Sequence, residues 1–154
     1  MVFKNESQLK SFLLAKCKIA IAQAEERVYQ VIDRCLEQYY GEFTPAEYIR
    51  TKQLLHSLVK SNVISNGNGY MAEVYFDESK LNYKQGVVPL QHTPQHGRYG
   101  WATWGAEEVL DTAMNGSHGG YIDGTAVWGT SRAVLGNIYN LLKKELIAQG
   151  IPIK

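Results

Sequence analysis

The stretch ESQLKSFLLAKCKIAIAQAEERVYQVIDRCLEQYY, residues 6–40, decides the fold of this 154-residue chain. Its apolar residues recur at steps of four and three, which places them along one face of an α-helix. That face is formed by Leu9, Leu13, Cys17, Ala20, Ala24, Val28, Val31, Cys35 and Tyr39. Asn5 with Gln8 forms a candidate capping box before it, and Gly41 follows it as a terminator. The sequence therefore predicts one long amphipathic helix over residues 6–40.

This helix is longer than a small domain is wide. At about 1.5 Å per residue it measures roughly 50 Å, whereas a compact domain of this size is on the order of 30–40 Å across. Part of it should overhang, and copies of the same chain are the simplest second surface for its apolar stripe. A kink near Ala22-Gln23 that folds the helix back is the alternative. Without a kink, the expected contacts with a neighbouring subunit are Leu13, Ala20, Ala24, Val28 and Val31.

Two shorter elements follow the long helix. Thr44-Pro45-Ala46-Glu47 combines an N-cap threonine, a proline at the first helical position and a glutamate at the third, which predicts a helix over residues 45–54. Period-two alternation then predicts a β-hairpin over residues 55–76. Its turn is Asn66-Gly67-Asn68-Gly69, whose residues tolerate positive φ.

Residues 78–104 are rich in Gly, Pro, Gln, His and Tyr and show no sustained period. We interpret this segment as an extended arm, because a loop of this length in a compact domain is usually functional or disordered and its aromatic residues argue against plain disorder. Large rings are favoured at protein interfaces. The arm residues expected to contact a partner are Tyr83, Tyr99, Trp101 and Trp104.

The C-terminal third predicts two more helices. One covers residues 105–115, and the structural glycine-rich bend that follows contains Gly116, Gly119 and Gly120. Residues 125–128 then resemble a short strand, and Thr130 or Ser131 can cap a final helix over residues 131–149. The face of that last helix is formed by Val134, Leu135, Ile138, Leu141, Leu142 and Leu146.

This order of elements predicts a single α+β domain over residues 1–154, with the helices around a small antiparallel sheet. Lys+Arg 16 against Asp+Glu 15 gives a net charge of +1, without the basic excess that sequence-specific nucleic-acid binding would require. A polar N-terminus and the lack of a long apolar run predict no signal peptide and no membrane partner, hence synthesis in a cytoplasm. Cys17 and Cys35 lie too far apart on one helix for a disulfide and are expected to be buried thiols.

Candidate catalytic groups are few. His92, His96 and His118 could hold a metal, but Pro94 disfavours a helix that presents the first two together. Ser117 and His118 lie in neither a nucleophile elbow nor a phosphate loop. We therefore expect no catalytic residue, no metal and no cofactor, and consider a small metal-dependent enzyme using the three histidines as an alternative.

The combined pattern resembles a family of phage proteins. The residues that carry the resemblance are Glu37-Gln38-Tyr39-Tyr40, Glu42-Phe43-Thr44-Pro45, Glu73-Val74-Tyr75-Phe76-Asp77, Leu110-Asp111-Thr112-Ala113-Met114 and Gly116-Ser117-His118-Gly119-Gly120-Tyr121. They are similar to minor capsid, neck or tail-completion proteins encoded by tailed phages and prophages of Gram-positive bacteria.

The resemblance implies a structural, non-enzymatic role in the virion. Such proteins form rings at the head-to-tail connection, between the portal or its adaptor and the tail tube or tail terminator, around a channel through which the genome passes. The implied partners are copies of the chain and these neighbours. A phage-encoded module that binds a host protein remains a second alternative.

Overall fold

The computed structural model describes residues 2–42, 52–81, 86–89, 101–104, 106–116 and 125–153. Within them the chain is a mixture of helices and short antiparallel strands, which confirms the α+β class. The helices are α1 (Glu6–Gly41), α2 (Gln53–Ser57), α3 (Ala106–Asn115), α4 (Val127–Leu135) and α5 (Ile138–Ala148). The strands are β1 (Leu58–Lys60), β2 (Ile64–Asn66), β3 (Gly69–Met71), β4 (Val74–Phe76), β5 (Gly86–Pro89) and β6 (Trp101–Trp104).

The long N-terminal helix is confirmed as one 36-residue element, and it continues without interruption through Ala22 and Gln23, where a kink was the alternative. Its first turn is capped as the sequence predicts. The Asn5 side chain accepts a hydrogen bond from the Gln8 backbone N–H at 2.9 Å, and the Gln8 side chain accepts one from the Lys4 N–H at 3.0 Å. One of the donors that a helix start leaves unsatisfied, the Gln8 N–H, is thereby paired, while the Gln8 side chain bonds the residue before the N-cap and not the N-cap N–H of a regular capping box.

The core is built around the second half of α1. Helices α4 and α5 and the strand region β1–β4 all contact α1. Leu36 of α1, Leu54 of α2 and Val127 of α4 each have at most 1% of their surface exposed. The remaining buried members of this cluster are Val31, Ile32, Cys35, Tyr39, Leu58, Leu81 and Ala113. Helix α1 is therefore the scaffold onto which the rest of the chain folds.

The predicted boundary between second helix and hairpin is wrong by three residues. Helix α2 extends through Ser57, whose buried hydroxyl donates to the Leu54 carbonyl at 2.7 Å. The predicted 45–54 helix begins at Thr44-Pro45, and residues 43–51 lie outside the described residues. The period-two alternation that begins at Leu55 therefore contains one helical turn before the first strand.

The predicted hairpin over 55–76 is two ladders separated by a bulge. β1 pairs with β4, with Leu58 opposite Phe76, and β2 pairs with β3, with Ile64 opposite Met71. Three residues separate β1 from β2 and only two separate β3 from β4, so the first arm of the hairpin carries one extra residue. The turn has positive φ, +64°, at Gly67 but not at Asn68, the arrangement of a type II′ turn.

The expectation of an arm without regular structure over 78–104 is partly wrong. Residues 78–80 form a 3-10 turn, and β5 pairs with β6 in antiparallel register, with Gly86 opposite Trp104 and Pro89 opposite Trp101. Residues 82–85 and 90–100 lie outside the described part of the chain. The two ends of the segment are thus joined to each other by backbone pairing.

The C-terminal region differs from the predicted strand and single helix. Helix α4 already begins at Val127, so the 125–128 strand is wrong, and Ser131 is a buried residue inside α4 that donates to the Val127 carbonyl at 2.6 Å. The predicted 131–149 helix is interrupted at Gly136, which has φ +65°, and Asn137 caps α5 by accepting from the Tyr139 N–H at 2.8 Å. The chain therefore turns where a continuous rod was expected.

Candidate assembly surface

The first third of α1 contributes no buried residue to the fold. All of residues 6–18 are exposed or half-buried, whereas six residues of α1 from Ala20 onwards are buried. We call residues 6–18 the overhang. Its apolar residues include Leu9, which is 39% exposed, and Phe12, Leu13 and Leu14, which are half-buried. The overhang therefore carries apolar surface that this chain does not cover.

One side of the overhang is an aromatic and cationic patch. The rings of Phe3 and Phe12 lie 5.2 Å apart between centroids, tilted by 51°. The Lys16 ammonium lies 5.8 Å from the centre of the Phe12 ring, within the range of a cation–π contact. This patch presents ring surface and positive charge together.

The predicted contact residues of α1 differ in their burial. Ala20 and Val31 are 0% and 5% exposed, so both are buried in the chain's own fold. Val28 is half-buried and packs against the core. Leu13 and Ala24 are half-buried and remain accessible. Leu13, Ala24 and Val28 are thus the partly accessible residues among the predicted contacts of α1.

The predicted arm and bend residues are largely beyond the described structure. Tyr83, Tyr99, Gly119 and Gly120 lie outside the described residues. Trp101 and Trp104 are the first and last residues of β6, where the backbone pairing places them at opposite ends of one strand. Gly116 has φ +78° and ends α3, a conformation that favours glycine.

A second exposed apolar region lies on α4 and α5, and it was not expected from the sequence. Val134 and Ile138 are 60% and 53% exposed, although the periodicity placed both on the apolar face of one helix. The break at Gly136 redirects the chain between them, which explains why a single periodic face does not exist. Large apolar side chains exposed on these two helices are Trp128, Val134, Ile138, Tyr139 and Ile147.

A groove runs along α1 next to the overhang and beside α5. It has a volume of about 420 Å³ and is lined by Ile19, Ala22, Gln23, Glu26, Arg27, Gln30 and Glu145. The Gln149 side chain donates to the Gln23 side chain at 3.0 Å, which ties the end of α5 to α1 at this place. The groove therefore begins where the overhang ends.

One carboxylate of the groove is already paired. Lys60 of β1 forms a salt bridge with Glu26, and Gln30 donates to the same carboxylate at 2.8 Å. The hydrogen bond from Lys60 is the main cause that lowers the pKa of Glu26. In the described part of the chain, Glu145 has no salt bridge.

Metal ligands, thiols and membrane-spanning helices are the features of the described residues that could indicate a catalytic or membrane role. Within them no three His, Cys, Asp or Glu side chains come together as a metal site, and His92, His96 and His118 lie outside them. Both thiols are free. Cys35 is buried as predicted, whereas Cys17 is only half-buried. Across the segments that the structure describes, none of the helices combines the length and apolar character needed to cross a lipid bilayer.

Helix α1 extends past its own core and carries a groove next to that extension, so the described residues offer two surfaces to which another molecule could bind. Comparison with family models gives the chain's identity: the model described as YomN matches residues 5–149. The chain belongs to the YomN family, which is phage-associated and of the Bacillus prophage type. The comparisons with curated proteins and with solved structures gave no match.

Proposed function

We propose that this chain is a non-enzymatic structural component of a phage particle. In this proposal, copies of it assemble into a ring at the head-to-tail neck or at the tail-completion position. Membership of a phage-associated family supports the viral part of the proposal. The neck position rests on the sequence resemblance to neck and tail-completion proteins.

The observation that carries the self-assembly part is the burial profile of α1. A helix in water is stabilised mainly by packing of its apolar face, and isolated helices of fewer than about 12–15 residues are marginal. The 13 residues of the overhang, 6 to 18, have no buried member and still carry Leu9, Phe12, Leu13 and Leu14. A second protein surface would supply the packing that the overhang lacks.

A ring requires contacts between two different surfaces of each copy. Head-to-tail contacts close into a ring when the rotation between neighbours divides a full turn. The described residues include two separate exposed apolar regions, the overhang and the α4–α5 surface around Val134 and Ile138. Separate exposed regions of this kind are compatible with the unlike contacts of a ring. The 78–104 segment is a further contact element in this proposal, and the portal adaptor and the tail tube or tail terminator are its neighbours in the particle.

The test is the composition and shape of phage particles. We expect mass spectrometry of purified virions to detect the chain in several copies per particle. We also expect electron microscopy of a deletion mutant to show heads and tails that do not join. Normal, infectious particles from the deletion mutant would contradict the proposal. Detection of the chain only in the host cytoplasm, bound to a host protein, would instead establish the binding-module alternative.

A further inference from the structure

We propose that the groove on α1 receives the overhang of a second copy of this chain. This inference rests on the proposed self-assembly and specifies which two surfaces meet. Each copy carries both surfaces on the same helix, the overhang over residues 6–18 and the groove over residues 19–30. The proposed ring requires head-to-tail contacts, so we place one overhang in one groove, which leaves one unfilled groove and one free overhang on every pair.

The two surfaces match in length. At about 1.5 Å per residue the overhang is roughly 20 Å long, and the α1 segment that lines the groove is roughly 18 Å long. Two copies of α1 staggered by about one third of the helix would place one overhang along one groove. The groove, whose apolar lining is Ile19 and Ala22, would then cover part of the overhang.

The charges of α1 favour contact between an overhang and a groove over contact between two overhangs. The overhang, residues 6–18, contains three lysines and one glutamate, a net charge of +2. Residues 19–30 along the groove contain two glutamates and one arginine, a net charge of −1, and Glu145 of α5 adds a further carboxylate. Two overhangs side by side would bring like charges together, whereas an overhang along a neighbour's groove brings opposite charges together. The charge distribution thus supports a second copy as the occupant of the groove.

The side chains at the contact are also complementary. Phe12 and Lys16 are four positions apart, hence on one face of the helix, and form the patch of ring and ammonium described above. The groove offers the apolar side chains of Ile19 and Ala22 next to the Glu145 carboxylate. We assign the Phe12 ring to the apolar part of the groove and the Lys16 ammonium to Glu145.

A charge exchange between the two surfaces tests this pairing. Sedimentation equilibrium of the full chain measures self-association of four proteins: the parent, Lys16→Glu, Glu145→Lys, and the two changes combined. Each single reversal replaces an attraction by a repulsion and is expected to weaken association by about tenfold. The combined variant restores opposite charges across the contact, and its association should return to within about twofold of the parent. Failure of the combined variant to recover, with circular dichroism showing all four folded, would overturn the pairing.

Lys18→Glu is the matched control. It introduces the same change of charge on the same segment, but two residues along a helix lie about 200° apart, so Lys18 faces away from Lys16. We expect Lys18→Glu to leave association within about twofold of the parent. Equal losses for Lys16→Glu and Lys18→Glu would show that net charge alone matters and would overturn the assigned contact.

An anionic lipid surface also attracts a basic amphipathic helix and is the competing occupant. Flotation with vesicles of phosphatidylglycerol measures binding of the chain to such a surface directly. Binding to vesicles that Lys16→Glu abolishes, together with a parent chain that stays monomeric at all concentrations, would overturn the inference. The proposed function is judged separately, by the presence of the chain in virions, so a chain found in joined particles but insensitive to the charge exchange would refute only this contact.

Discussion

The carboxylate of Glu42, immediately after α1, accepts a hydrogen bond from the backbone N–H of Thr125 at 2.6 Å and a second from the Thr125 hydroxyl. The two residues are 83 positions apart in the sequence. Gln38, one turn earlier, donates to the Thr125 hydroxyl at 2.9 Å and to Glu42 at 3.1 Å. Thr125 lies two residues before α4, so these bonds fix the start of α4 to the end of α1.

Glu42→Ala is expected to lower the free energy of unfolding by about 1 kcal/mol, because both hydrogen bonds to Thr125 are lost at a solvent-exposed site. Urea denaturation followed by circular dichroism measures the change. Glu37→Ala, at an exposed position of the last turns of α1, is the control and should stay within about 0.5 kcal/mol of the parent. Equal effects of the two substitutions would show that the Glu42–Thr125 contact does not stabilise the fold.

Leu36→Ala and Leu9→Ala separate the two roles of α1. Leu36 is fully buried in the core, and its truncation should cost about 2–5 kcal/mol of stability through lost burial and a cavity. Leu9 is 39% exposed on the overhang, so its truncation should change stability by less than about 0.5 kcal/mol. Thermal and urea unfolding of both variants checks this, and a large destabilisation by Leu9→Ala would mean that the overhang belongs to the core of the single chain.

Gly67→Ala tests the turn of the bulged hairpin. Gly67 has φ +64°, where an added Cβ is strained, and we expect a loss of about 1–2 kcal/mol. Gly41, the last residue of α1, has equally open surroundings and no positive φ, so Gly41→Ala should be neutral or slightly stabilising. Urea unfolding of the pair separates backbone strain from steric effects. A neutral Gly67→Ala would contradict the type II′ turn.

The salt bridge between Lys60 and Glu26 predicts a specific pH dependence. The hydrogen bond from Lys60 and then that from Gln30 lower the pKa of Glu26 below its ordinary value of 4.5. A lowered pKa in the folded state stabilises the protein above the unfolded value and this contribution is lost as the pH falls through the folded value. Glu26→Gln should therefore be less stable than the parent at neutral pH, by a small amount because the pair is exposed, and the difference should disappear well below pH 4.5. A difference that does not change across this range would show that the bridge does not form in solution.

The sequence predicted the elements that have strong periodicity or clear caps. Helix α1 has an apolar stripe and a capping asparagine, Asn5, and both are present in the structure. The break between α4 and α5 was missed because Val134 and Ile138 still follow helical spacing across Gly136 and Asn137. A Gly-Asn pair inside a periodic stretch was the available signal, since glycine ends helices and asparagine starts them.

The remaining misses concern long-range contacts. The pairing of β5 with β6 depends on backbone hydrogen bonds, and neither strand shows alternation of apolar and polar residues. No local sequence pattern therefore predicts this pairing. The same limit applies to the assembly surface, because Leu13, Ala20 and Val31 belong to one continuous stripe. Only the position of α4, α5 and the strands on α1 determines that Ala20 and Val31 are covered while the overhang is not.

The most direct test of the central claim is the content of phage particles made with a chain that lacks residues 2–18. The claim is that α1 folds in the single chain from Ala20 onwards and that the overhang is completed by a neighbouring copy. The truncated chain should therefore unfold cooperatively, with nearly the stability of the parent, because no buried residue is removed. Quantitative mass spectrometry of virions should then find no truncated chain, and heads and tails should remain separate. A truncated chain that enters joined particles at the copy number of the parent would contradict the account.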